Sequence, residues 1–108
     1  MYKGVIVEQS ITDITILSSL DVQNRNVIDA QNWIETTVFV TEEQIKKLSS
    51  LLRDGWYMHF WSGRSVKVIF RNKVFEINYD DKSTWNSAVE YGMSIGIPYE
   101  QLDFPIDD

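Results

Sequence analysis

The 108-residue chain carries sixteen acidic and ten basic residues, a formal net charge of −6, and 44% apolar with 13% aromatic side chains. A chain of this length is expected to form one domain around a single core. The absence of cysteine excludes disulfides and thiolate metal sites, one histidine cannot build a zinc site, and the negative charge opposes phosphate backbones. No cofactor, nucleic-acid partner or membrane span is therefore expected. The run Gly4-Val5-Ile6-Val7 before Glu8 is too short for a secretory signal, so the expected location is the cytoplasm.

In chain order, Tyr2 to Glu8 reads as a first strand, with Val5 and Val7 alternating with Ile6 in a β-branched run. Ile11 to Leu20 has strand-favouring Thr and Ile, yet Ser10, Thr12 and Asp13 suit the cap of a short helical turn, the reading preferred here. Asp21 to Asn32 is polar enough for an edge strand or a long loop. Trp33 to Val40 is a strand of β-branched and aromatic residues.

Thr41-Glu42-Glu43-Gln44 has the capping-box spacing, Val40 and Ile45 occupy the staple positions, and Ile45, Leu48, Leu51 and Leu52 form one apolar stripe. This helix is expected to stop at Gly55 through a left-handed cap. Three strands follow as a meander, Trp56 to Trp61, Ser65 to Arg71 and Val74 to Tyr79, the last two joined by an Asn72-Lys73 turn. Ser83 or Thr84 is expected to cap a second helix with apolar positions Trp85, Ala88, Val89, Met93 and Ile95, ended by Gly96 and Pro98. Gly92 inside that helix implies close approach to the sheet, since glycine there costs about 1 kcal/mol relative to alanine. Leu102, Phe104 and Ile106 alternate as an extended edge segment would, and the acidic end, Asp107 and Asp108, is expected to be disordered.

The apolar pattern favours a three-residue loop around Ser62-Gly63-Arg64, which would gather Met58, Phe60, Val66, Val68, Phe70, Phe75 and Ile77 on one core face. The other face would then carry Tyr57, His59, Trp61, Lys67, Ile69, Arg71, Glu76 and Asn78. Two large aromatics around the histidine, with cations one strand away, are residue types enriched at interface hot spots. Tyr57, His59, Trp61, Lys67 and Arg71 are therefore the candidate binding residues. The competing reading covers this face with the N-terminal strands, the 11–20 segment or a second copy of the chain, because small domains seldom leave large apolar patches open.

No sequence pattern specifies a reaction. His59 has Ser62 and Ser65 nearby but no Gly-x-Ser-x-Gly elbow, Asp80 and Asp81 with Glu76 do not match a calcium loop, and the glycines are isolated rather than grouped around a phosphate. No catalytic or metal-ligating residue is assigned.

The segments Trp56-Tyr57, Phe70-Arg71-Asn72-Lys73-Val74-Phe75 and the ending from Tyr91-Gly92 and Ser94 through Gly96-Ile97-Pro98 to Gln101-Leu102-Asp103-Phe104 resemble a group of small uncharacterised bacterial cytoplasmic proteins. The resemblance covers mainly the second half of the chain. It implies a bacterial cytoplasmic origin and carries no activity or ligand; His59 stands where that group has an acidic residue.

The expected fold is α+β, a mostly antiparallel sheet of about four to six strands with two helices on one face. The expected function is a non-enzymatic protein-interaction or regulatory module using the aromatic sheet face, with a protein partner or a homodimer. A small-molecule-binding protein or small enzyme with a pocket between sheet and helices is the alternative.

Overall fold

A computed structural model describes residues 1–28 and 33–106. The expected disorder of Asp107 and Asp108 lies outside the described residues, as does the end of the 21–32 segment. The fold is α+β: six strands, β1 (Tyr2–Val7), β2 (Asp21–Ile28), β3 (Trp33–Val40), β4 (Met58–Ser62), β5 (Ser65–Phe70) and β6 (Lys73–Asn78), with two α-helices, α1 (Glu42–Leu51) and α2 (Asn86–Ser94). The strands form one sheet in the order β2-β3-β1-β4-β5-β6, and every neighbouring pair is antiparallel.

Both faces of this sheet are covered. On one, Ile6, Val38, Val40, Phe60 and Ile69 meet Ile45 and Leu48 of α1 and Leu52 beyond it. On the other, Val66, Val68, Phe70 and Ile77 meet Trp85 and Ala88 around the start of α2 and Leu102 and Phe104 of the C-terminal segment. The helices thus lie on opposite faces, not together on one. The reason is local: the β4–β5 turn has two residues, Gly63 and Arg64, between the paired Ser62 and Ser65, rather than the expected three. Gly63 has φ 58° at the first central position, where a type II′ turn requires a residue without Cβ. An even loop places His59 and Trp61 beside Val68 and Val66, and Met58 and Phe60 beside Ile69 and Lys67. With both faces buried, apolar alternation no longer reports which residue belongs to which face.

The β5–β6 turn is Arg71-Asn72, one residue earlier than expected, with Asn72 at φ 58°. The shift re-pairs Val68 with Phe75 and Val66 with Ile77 but leaves each on its expected face. The 11–20 segment forms a short 3-10 helix over Ile14–Ser19, capped by Asp13, as preferred from the sequence, and β2 is an exposed edge strand, one of the two readings open for the 21–32 segment.

The capping box of α1 is present: Thr41 Oγ1 accepts from the Gln44 amide at 3.2 Å and Gln44 Oε1 accepts from the Thr41 amide at 2.8 Å. The helix ends earlier than Gly55, because Leu52 is extended and bridges Ile11 while the Arg53 amide donates to Ser10 O at 2.8 Å. Gly55, at φ 82°, serves the turn that follows. At the other helix, Asp81 accepts from the Ser83 amide and caps a 3-10 turn that leads into α2, replacing the expected Ser83 or Thr84 cap. Thr84 Oγ1 instead accepts from the Asn78 amide at 2.9 Å.

α2 ends at Gly96 (φ 97°), with Ile97 N–H donating to Gly92 O and Gly96 N–H to Met93 O, the Schellman pattern. Its buried face runs through Ala88 and Gly92, while Met93 and Ile95 are exposed. Gly92 does bring the helix close: a Cβ there would lie 2.6 Å from Leu102 Cδ2 and 3.3 Å from Phe70 Cε1. The segment carrying Leu102 and Phe104 lies on the sheet's face and not along its edge, since Phe104 is wholly buried against Trp85 and Tyr57.

Candidate functional site

The five residues proposed from the sequence do not form one surface. Tyr57 is capped by the C-terminal segment: its hydroxyl donates to Gln101 O, with Asp103 O at 3.3 Å, and its ring lies 5.7 Å from Phe104. Burial raises the Tyr57 phenol above its ordinary value. His59 is held likewise, with Nε2 2.6 Å from Pro105 O and its ring against Trp61 and Phe104. A carbonyl only accepts, so Nε2 carries a proton in this contact, in the neutral and in the charged imidazole alike. Burial also pushes the His59 value down, which favours the neutral form.

Trp61 shares this face, half-buried beside the same core. Lys67 is on the opposite face, its Nζ 3.6 Å from Glu42, 3.5 Å from Glu76 and 5.8 Å from the Tyr2 ring centre. Arg71 sits in the β5–β6 turn with Nη1 3.4 Å from Asp54. The cover over Tyr57 and His59 is none of the three segments weighed from the sequence; it is the chain's own residues 101–105.

A different surface opens where β1 meets β4. Only Lys3↔Trp61 and Gly4↔Phe60 pair these strands. A Cβ on Gly4 would fall 2.2 Å from Phe60 Cδ1 and 2.8 Å from His59 O, so the close approach depends on glycine. Continuing the register would bring Val7 opposite Tyr57; instead the strands part. In the fork, Val7, Trp33, Trp56, Tyr57, Ile97 and Gln101 line an open pocket of about 280 Å³. Trp33 and Trp56 face one another there with ring centres 5.5 Å apart. Tyr57 alone of the sequence candidates reaches this pocket. Trp33 and Trp56 were missed because they are 23 positions apart and nothing local joins them.

A second group absent from the sequence reading surrounds Glu8, a buried carboxylate. Arg25 approaches it with Nε at 2.9 Å and Nη2 at 3.2 Å, and Thr36 Oγ1 donates at 2.7 Å. The Arg25 hydrogen bonds hold the Glu8 carboxyl below its ordinary value. The group ties edge strand β2 to β3 and to the end of β1, and with every partner satisfied it is structural. Among the described residues no group of His, Asp and Glu is placed to hold a metal ion. Among the same residues no helix is long and apolar enough to cross a membrane.

No family model, no curated protein and no solved structure matches the chain.

Proposed function

We propose that this chain is a non-enzymatic protein-interaction module of the cytoplasm, which seats an apolar side chain of a protein partner in the fork between β1 and β4. The observation that carries this reading is the pair Trp33 and Trp56 around an open pocket of about 280 Å³. Pockets that enclose metabolites start at roughly 300 Å³ and bury most of their ligand. An open space at that lower limit suits one anchor side chain better than a whole small molecule. Tryptophan is also the residue type most enriched where such anchors bind. Burying a leucine- or phenylalanine-sized anchor contributes about 1.5–3 kcal/mol, roughly one to two decades in Kd.

The test is affinity capture from the source cells with three tagged baits: wild type, Trp33→Ser, and Val22→Ser as a control on the edge strand away from the fork. All three must first show the same circular dichroism spectrum. A protein retained by the wild type and the control but lost with Trp33→Ser supports the fork as a docking site. Equal retention by all three sinks it, and recovery of the untagged chain itself as the lost species would make the partner a second copy.

A further inference from the structure

We infer that the cleft between α2 and residues 99–103 receives a lysine or arginine side chain from a basic segment of a protein partner. This cleft, about 490 Å³, has an aromatic and aliphatic wall made by Trp85, Val89, Tyr99 and Leu102 and a rim that carries Glu90, Glu100 and Asp103. Tyr99 is 66% exposed, an unusual setting for so large a ring in a chain that buries its other aromatics more deeply.

Two details give the cleft its chemistry. Trp85 Nε1 donates to Asn78 O at 3.0 Å, which fixes the indole plane, and Lys82 Nζ stands 3.4 Å from the Trp85 ring centre. The wall therefore already holds one ammonium group by cation–π attraction, supplied by the chain itself. The rim carboxylates have no such occupant: among the described residues no lysine or arginine forms an ion pair with Glu90, Glu100 or Asp103. Asp103 Oδ1 accepts from the Phe104 amide at 3.0 Å. These carboxylates are not grouped closely enough to hold a metal ion. A long side chain with a cationic end can lay its aliphatic stem on Val89 and Leu102 while its charge reaches the rim, which a compact ion cannot do. The net charge of −6 adds long-range attraction for a basic partner. This site is separate from the β1–β4 fork, so either can fail without the other.

The probe is a fluorescein-labelled peptide of alternating arginine and glycine, with a glutamate–glycine peptide and free arginine as comparisons, read by fluorescence anisotropy at 0.05 and 0.3 M salt. The arginine peptide is expected to bind, more weakly at the higher salt, and the glutamate peptide not at all. Glu90→Gln with Glu100→Gln should weaken binding by roughly fivefold to tenfold, as two partly exposed ion pairs imply. Glu42→Gln with Glu43→Gln, the same charge change on α1, should weaken it by less than about twofold. Lys82→Ala frees the Trp85 face and should tighten binding more than Lys47→Ala, which removes the same charge elsewhere. Equal weakening by the two glutamate pairs, or equal tightening by the two lysine variants, would reduce the effect to diffuse charge and overturn the cleft. Displacement of the peptide by equimolar free arginine would overturn the protein partner in favour of a small cation.

Discussion

The two helical layers reach the same end by different means. α1 carries its own instructions, with a capping box at Thr41 and Gln44 and an apolar stripe through Ile45 and Leu48 that is wholly buried. α2 has no side-chain cap of its own, follows a 3-10 turn, and packs at Gly92 against Phe70 of the sheet and against Leu102 from the segment that follows it. One layer carries its cap and its buried stripe within the helix itself, whereas the other is completed by the segment that follows it. A helix of nine residues with an internal glycine would be marginal alone, so its stability resides in tertiary packing.

The largest effect that could break this contrast is expected at Phe104. Phe104→Ala should destabilise the fold by about 3–5 kcal/mol, as for other buried phenylalanines. Hydrogen exchange should show the amides of α2 losing more protection than those of α1. Uniform loss across both helices would mean that the two layers open as one unit and the contrast is false. Thr41→Ala should cost about 1 kcal/mol through the lost cap, read from denaturant midpoints, with the opposite bias in exchange. Loss well above that would show that α1 also depends on distant contacts.

The smallest effect is a pH slope at the docked segment. Burial holds the folded His59 imidazole below its ordinary value of 6.5, so below that pH the unfolded chain binds more protons than the folded one. The contribution of neutral His59 is complete above about pH 6.5 and is lost as pH falls through the folded value. Thermal melts between pH 7.5 and 5 should show a decline that His59→Gln flattens. The loss linked to Glu8 lies lower, below its ordinary value of 4.5, and should persist in that variant. A decline unchanged in His59→Gln would remove His59 from the account of how residues 101–105 are held.

Much of the fold was legible because its signals are local. The α+β class, the strands over 2–7, 33–40 and 65–70, the capping box and the close approach at Gly92 each follow from residues within one element or its flanks. Little of the candidate site was legible. Tyr57 was placed at a site for its aromatic neighbours, and it does line the fork, but its hydroxyl is committed to the chain's own Gln101. Lys67 and Arg71 were grouped with it through a loop length that the Gly63-Arg64 turn does not have.

By itself the sequence determined which segments become helix and which become strand, since periodicity, caps and turn residues act over a few positions. Only the tertiary structure decided which face each strand residue occupies, because both faces are apolar and the alternation cannot tell them apart. It also decided that residues 101–105 cover Tyr57 and His59, and that β1 and β4 part after Gly4 to leave the fork. The last two outcomes rest on contacts between residues more than forty positions apart. The free energy of such contacts appears only when the chain has closed the loops between them.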